Sequence, residues 1–158
     1  MESALQIAER LEKEGRRTLE FFRQIAPEQW GVQVYADGAA WNVRQVFAHI
    51  TEVEDSIPRL IQSILDGGPG VSEDFDLDRY NAGAVGKMDD LTPADLFELF
   101  AARRANTVEQ VRNFSEVELD VIGRHPFLGI AAIREMLRVM IINEKSHYRD
   151  VQRVLKAA

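Results

Sequence analysis

The sequence predicts an all-α protein folded as a four-helix bundle. Apolar residues recur at spacings of three and four along four long segments, which is the period of an amphipathic helix. Helix caps, prolines or glycines bound these segments, and no stretch is predicted to be a strand. A chain of 158 residues is long enough for one domain, 1–158, with a substantial core. The interior of such a bundle is a usual place for metal and ligand sites.

The first two helices have clear boundaries. The first is predicted from Ser3 to Ile25, where Pro27 ends it. Asn42 is a suitable N-cap for the second helix, and Gln45 three residues later completes a capping box. This second helix is predicted to continue for about six turns, to residue 65.

A long acidic connection follows the second helix. It opens with a stretch rich in glycine and proline, residues 66–70, which stops the helix. Its acidic residues are Glu73, Asp74, Asp76 and Asp78. Long loops often carry function, so Tyr80 and Asn81 are predicted to line a substrate pocket under this loop. The simpler interpretation is a solvated connection, because runs of charge are usually exposed.

The third long helix has the clearest start signal. Thr92 is an N-cap, Pro93 suits the first helical turn, and Asp95 faces the positive end of the helix dipole. This helix is predicted to end near Asn113. A short turn is then expected at residues 115–119.

The last helix is predicted from Ile130 nearly to Ala158, and polar residues interrupt its apolar stripe. Asn143, Glu144 and His147 occupy positions where hydrophobic residues are expected. His49 lies in the apolar stripe of the second helix in the same way. Two histidines are therefore predicted to point into the bundle from two different helices.

These residues have the types and spacing of a divalent metal site. Imidazole and carboxylate are good ligands for zinc, nickel, iron or manganese, and residues three or four apart on a helix face the same ion. His147 with Glu144 or Asn143 satisfies that spacing, and His49 completes the site from the facing helix. Glu52, one turn beyond, is a further ligand or an outer acceptor.

The same residues also fit a purely structural polar network. Glu144 would then bond His49 or His147, and Asn143 would satisfy a neighbouring group. Such a network offsets the desolvation cost of burying these groups and fixes helix register without catalysis. The pattern of residues leaves both interpretations open.

Composition excludes several classes of partner. The net charge is −7, whereas binding to nucleic acid or to an anionic membrane needs clustered lysine and arginine. Charged residues interrupt the most apolar tract, 127–142, so no membrane span is predicted. No signal-peptide pattern is present at the amino terminus, and a cytoplasmic location is expected. The chain has no cysteine, so any thiol used in chemistry would come from outside.

Three segments resemble the DinB/YfiT-like superfamily. The segment from Trp41 to His49 is similar to the family's tryptophan, helix cap and first histidine, and His125 to Gly129 is similar to its lead-in to the last helix. The segment 143–147 resembles the family's His-Glu-x-x-His or His-x-x-x-His element, with asparagine in place of the first histidine. The resemblance implies a four-helix bundle with a metal site of three histidines.

Carried over position by position, the family's metal ligands fall on His49, Asn143 and His147. Asparagine binds borderline cations less well than imidazole does, so the implied zinc, nickel, iron or manganese site is weakened. Glu144, turned inward, would restore a set of two histidines and one carboxylate. Trp41 most simply packs the end of the bundle, and it is also a candidate wall of the substrate pocket.

The resemblance also implies an activity. Characterised members include S-transferases that use bacillithiol or mycothiol, a mycothiol-dependent isomerase and protective hydrolases. We therefore expect a divalent-metal-dependent thiol transferase or hydrolase acting on a small molecule, with Glu144 or Glu52 as a ligand or proton acceptor. The alternative is a non-catalytic small-molecule-binding or dimerisation module that has lost its metal through Asn143.

Two further expectations concern structure and assembly. His125 precedes a proline, so it is predicted to shape a turn and is left out of the metal set. A homodimer is predicted from the family and from apolar faces such as Phe97, Leu99 and Phe100. A serine hydrolase is disfavoured because the chain has no Gly-x-Ser-x-Gly element.

Overall fold

Four long helices form the bundle in the computed structural model, which describes residues 1–158. They are α1 (Ala4–Arg23), α2 (Val43–Leu65), α4 (Pro93–Arg112) and α6 (Ile133–Ala157). The shorter elements are the helices α3 (Leu77–Gly86) and α5 (Glu116–Leu119) and the strands β1 (Ile122–His125) and β2 (Gly129–Ala132). The predicted fold class is confirmed, and only the small hairpin departs from an all-helical chain.

Capping residues fix the starts of three long helices, and the sequence indicates two of them, Asn42 and Thr92. Ser3, Asn42 and Thr92 each accept a hydrogen bond from a backbone amide in the first turn of their helix. In each case the side chain three residues later returns a bond to the cap backbone, which completes a capping box. These caps satisfy amides that have no partner inside the helix.

The order of the helices around the bundle brings the two predicted histidine faces together. Helix α1 packs against α4 and α6, and α2 packs against the same two helices. Helices α1 and α2 therefore lie diagonally opposite each other, although they are consecutive in the chain. Because α2 and α6 are neighbours, inward side chains on these two helices meet.

The acidic connection after α2 contains a helix that the sequence did not predict. Asp76 is the N-cap of α3, and its side chain accepts a hydrogen bond from the amide of Arg79. Helix α3 buries only Val85, so its sequence lacks the apolar stripe by which a helix is recognised. Tyr80 and Asn81 therefore lie on a helix and not in a loop.

The prediction of no strands was wrong, and the last helix begins three residues later than predicted. Residues 129–132 form β2, which pairs antiparallel with β1, and α6 starts at Ile133. Strands of four residues are too short to show a period of two. The segment after α2 also joins this hairpin, because the amide of Val71 donates to the carbonyl of Arg124 at 2.9 Å.

Gly70 allows the backbone of the segment after α2 to approach Arg124 of the hairpin closely. Its φ of +92° is in the left-handed region, and a Cβ there would lie 2.3 Å from the carbonyl oxygen of Arg124. Only glycine allows both the backbone conformation and the contact. The junction holds the segment before α3 against the hairpin, beside the face shared by α2 and α6.

A polar layer divides the hydrophobic core into two clusters. The first cluster includes Leu11, Ile61, Val111 and Leu137, and the second includes Phe22, Phe47, Phe100 and Val151. Between the clusters, each long helix buries one polar side chain of a network that we call the polar layer. Its members are Thr18, Glu54, Arg104 and Glu144.

Arg104 holds the polar layer together. Its Nη2 donates to Glu54 at 2.7 Å and to Glu144 at 2.5 Å, and its Nη1 donates to the carbonyl of Leu11 at 2.7 Å. Thr18 donates to the other oxygen of Glu144 at 2.5 Å. Burial acts to lower the pKa of Arg104, but the two carboxylates outweigh it and raise that pKa. One charged guanidinium therefore connects all four long helices.

The apolar stripe of α4 belongs mainly to the core of the chain itself. Phe100 is fully buried, and Phe97 and Leu99 are partly buried against the second cluster. The homodimer stays a prediction, but this stripe no longer supports it. None of the helices combines the length and apolar character needed to cross a membrane.

We predict that Arg104→Met destabilises the protein by about 3–5 kcal/mol, because two carboxylates then stay buried without their cation. The free energy of unfolding is measured by urea denaturation. Arg112→Met is the control, since that side chain is 44% exposed and 3.9 Å from its partner Glu12, and it should cost less than about 0.5 kcal/mol. A loss below about 1 kcal/mol for Arg104→Met would contradict the role assigned to the layer.

We also predict that Gly15→Ala destabilises the protein, against the usual trend in helices. Alanine normally stabilises a helix by about 1 kcal/mol over glycine, but a Cβ at Gly15 would lie 2.9 Å from Cγ and Nη1 of the pinned Arg104. We expect a net loss of about 1–2 kcal/mol from this overpacking. Gly83→Ala in α3 is the matched control, because its Cβ would meet nothing within 4 Å. If both variants gain stability, Arg104 is not fixed in place.

Candidate functional site

A cavity of about 360 Å³ lies between α2 and α6. The segment 71–81 and the hairpin turn at residues 125–127 close its other sides. Eleven of its 22 lining residues are hydrophobic, so half of the lining suits an apolar molecule. Its polar end contains His49, Glu52, Asn143 and His147.

The two histidines predicted to point inward are in contact. The ring centroids of His49 and His147 are 4.9 Å apart, and the rings are nearly perpendicular, at 85°. His49 is buried, at 8% exposure, and His147 is partly buried. The α2–α6 packing therefore places two imidazoles side by side at one end of the cavity.

A hydrogen-bonded chain orients His147. The hydroxyl of Tyr35 donates to Asp150 at 2.6 Å and lies 2.8 Å from Nδ1 of His147. Burial, together with Asp150, raises the pKa of Tyr35, so the phenol keeps its proton. A phenol has one hydrogen, and since it goes to Asp150, Nδ1 of His147 must donate to Tyr35. The other ring nitrogen, Nε2, is then left with a free lone pair.

His49 has a ring nitrogen without a partner. Its Nδ1 is buried and makes no hydrogen bond, while the indole ring of Trp41 packs at 4.8 Å from the imidazole. Burial, and then the nearby His147, lower the pKa of His49 to about 3. Burial also lowers the pKa of His147, with Asp150 opposing the effect. Both imidazoles are therefore neutral near pH 7, which is the form that binds metals.

The third family position does not supply a strong ligand. Asn143 is exposed and lines the cavity, and its side chain offers only an amide oxygen. No group of three or more His, Cys, Asp or Glu residues is arranged to hold a metal ion. The free lone pair of His147 and the unpartnered nitrogen of His49 fit a cation, with the Asn143 amide as a weak third donor.

Glu144 has different partners from those predicted. Its two carboxylate oxygens accept hydrogen bonds from Thr18 and Arg104, and neither bonds a histidine. Burial raises the pKa of Glu144, with Arg104 opposing the effect. The predicted network of Glu144 with His49 or His147 is therefore wrong. The buried polar network that the structure contains is centred on Arg104, because only a cation balances two carboxylates.

Helix α3 closes the cavity with a tyrosine. The hydroxyl of Tyr80 donates to Oε1 of Glu52 at 2.8 Å, and its ring lies 5.5 Å from that of Phe75. Asn81 lines the cavity beside it. This single hydrogen bond connects α3 to the polar end of the cavity.

Two other predicted residues lie beside the cavity in different ways. Trp41 is buried in the second cluster and reaches the site only through its contact with His49. His125 lines the cavity, and its Nδ1 accepts hydrogen bonds from the amides of Phe127 and Leu128, both at 3.1 Å. The predicted turn role of His125 is confirmed, and the two bonds occupy that nitrogen.

Sequence reasoning missed Arg104, Tyr35 and Asp150. The sequence pattern could have indicated that Arg104 is buried, because it lies four residues from both Phe100 and Val108 on the buried stripe of α4. No local pattern indicates the contact of Tyr35 with Asp150, since Tyr35 belongs to the irregular segment between α1 and α2.

Comparisons with known proteins place these observations in a family. The family model described as the DinB superfamily matches residues 10–151. Among solved structures, the chain is similar to YfiT from Bacillus subtilis, described as a probable metal-dependent hydrolase with an unusual four-helix bundle topology. The TM-score is 0.71 at 16% identity, over 98% of this chain and 85% of YfiT. A search of curated proteins gives no significant match.

The similarity to YfiT concerns the fold alone, because the sequence identity is low. The family model covers nearly the whole chain, and the matched range includes His49 and His147. The predicted membership of the DinB/YfiT-like superfamily is thereby confirmed. This chain belongs to the DinB superfamily.

Proposed function

We propose that the protein is a divalent-metal-dependent enzyme, of hydrolase type, that acts on a small molecule in the cavity between α2 and α6. The observation that carries the proposal is the contact of two neutral imidazoles, 4.9 Å apart, at the polar end of a largely apolar cavity. The hydrolase assignment is supported by the similarity of the fold to YfiT, which is described as a probable metal-dependent hydrolase.

His49, His147 and the amide oxygen of Asn143 would hold the cation. A divalent ion in such a place supplies Lewis-acid polarisation of a carbonyl and lowers the pKa of a water or thiol nucleophile. The Tyr35–Asp150 pair fixes the tautomer of His147, as groups that hydrogen-bond the other ring nitrogen do for metal-binding histidines.

We assign different roles to the two candidate glutamates, Glu52 and Glu144. Glu52 lines the cavity one turn from His49, and one of its oxygens is engaged by Tyr80. Its other oxygen would accept the proton of the attacking nucleophile. Glu144 is held by Arg104 and Thr18, so it acts as a positioning residue that anchors α6 beside α2.

Thiol transfer is the second form of the same chemistry. The chain contains no cysteine, so a thiol nucleophile would enter the cavity as a separate small molecule.

A non-catalytic binding module is the competing proposal. It is favoured by one observation, namely that Asn143 stands where a third strong ligand is needed.

We predict that wild type binds Zn²⁺ or Ni²⁺ weakly and in a one-to-one ratio, and that His147→Ala abolishes this binding. Asn143→His should tighten it by about tenfold or more, because imidazole replaces a poor amide donor. Calorimetric titration of tag-free protein measures both effects. Asn106→His, on the exposed surface of α4, is the control for a histidine added away from the site. Equal binding by wild type and His147→Ala would exclude this site.

We predict metal-dependent hydrolysis of small apolar esters or amides, assayed with and without added metal and added thiol. Glu52→Gln should lower kcat by about 100-fold or more if the carboxylate accepts a proton, because general bases contribute effects of this size. Stimulation only by thiol would assign the transferase form. If no member of the panel is turned over by wild type or by Asn143→His loaded with metal, the non-catalytic module is supported.

A further inference from the structure

The polar end of the cavity is rich in acceptors and negative charge. Three carboxylates line it, from Glu52, Glu54 and Glu144, and these residues are 8%, 3% and 5% exposed. Arg59 is the only lysine or arginine in the lining, and its guanidinium is 2.8 Å from Asp55 with the side chain 68% exposed. The positive charge of Arg59 is therefore already paired, and it is directed toward solvent.

Arg104 compensates only part of this charge. It is shared by Glu54 and Glu144, so these three groups carry a net charge of −1 when ionised. Glu52 has no cationic partner, and its contact is the neutral hydroxyl of Tyr80. The lining thus carries three carboxylates, from Glu52, Glu54 and Glu144, against one buried guanidinium.

One of these carboxylates has an unmet hydrogen-bonding requirement. Oε2 of Glu54 is buried and makes no hydrogen bond, while Oε1 is held by Arg104. A buried acceptor without a donor costs about 1–3 kcal/mol, so a ligand that brings an N–H group gains from pairing with it. The hydroxyl of Tyr80, a donor in the same lining, is committed to Glu52.

The rest of the wall fits an apolar body attached to such a donor. Phe75, Tyr80 and Phe127 contribute aromatic rings to the lining, and Val53 and Met140 contribute aliphatic side chains. Aromatic faces attract ammonium groups, and apolar side chains bury hydrocarbon. An anionic ligand of the same size would instead face the carboxylates with no free cation to pair with.

We propose that the cavity selects small molecules that combine an apolar body with a protonated amine, and that Glu52 and Glu54 are the partners of the amine. This inference names a substrate class, and it rests on the proposed function only in taking this cavity as the substrate site. It requires neither bound metal nor turnover.

The test is a matched series of probes that differ only in charge, namely phenylbutylamine, phenylbutanol and phenylbutyrate. Dissociation constants are measured by calorimetry with metal-free protein in the presence of a chelator. We expect the amine to bind about tenfold or more tightly than the carboxylate, because the buried carboxylates favour one and repel the other. The alcohol should lie between them.

Variants identify the groups responsible. Glu52→Gln keeps an oxygen for Tyr80 but removes the charge, and it should reduce the preference for the amine about fivefold or more. Glu54→Gln should do the same, with circular dichroism as a check on folding because Glu54 pairs with Arg104. Glu98→Gln on the exposed surface of α4, outside the cavity, should leave the preference unchanged.

The outcomes separate this inference from the proposed function. Equal binding of amine and carboxylate, or a preference that survives both cavity variants, overturns the substrate class and leaves the metal-dependent function standing. Binding of none of the three probes overturns this inference and also the cavity as substrate site. A preference for the amine that persists in His147→Ala supports the inference even where metal binding fails.

Discussion

The structure depends on the single guanidinium of Arg104, which is shared by Glu54 and Glu144. Nonspecific packing of apolar helices tolerates sliding and rotation, whereas a buried ion network has few arrangements in which every charge is paired. Here the network takes a carboxylate from α2 and one from α6, a guanidinium from α4 and a carbonyl of Leu11 from α1. The register of all four long helices is therefore set in one layer between two apolar clusters.

The functional site is a direct consequence of this register. Glu144 and His147 are three residues apart on α6, and His49 and Glu54 are five residues apart on α2. With Glu54 and Glu144 tied to the same cation, both histidines lie on the same side of the layer, and their rings are in contact. The same layer contributes carboxylates to the cavity wall. Stability and site chemistry thus come from one set of side chains.

The sequence predicted the parts of this arrangement that have a local cause. Helix caps at Asn42 and Thr92 fix helix starts, and apolar periodicity shows which residues face inward. The pairing of His49 with His147 followed from two such stripes and from the family resemblance. The rest depends on contacts between distant segments, such as Tyr35 with Asp150, or on elements too short or too polar to show a period, such as β1, β2 and α3.

The buried histidines themselves argue for function over structure. Within the polar layer, both oxygens of Glu144 are paired, by Thr18 and Arg104, whereas Oε2 of Glu54 is buried without a partner. His49 likewise keeps Nδ1 buried without a partner, at a cost of about 1–3 kcal/mol. The Tyr35–Asp150 pair fixes His147 so that Nε2 is also free. Asn143 changes only the exposed third position of the family's metal site. The imidazoles of His49 and His147, and the Tyr35–Asp150 pair that orients His147, remain in place. This arrangement favours a site that still binds a ligand at this end of the cavity.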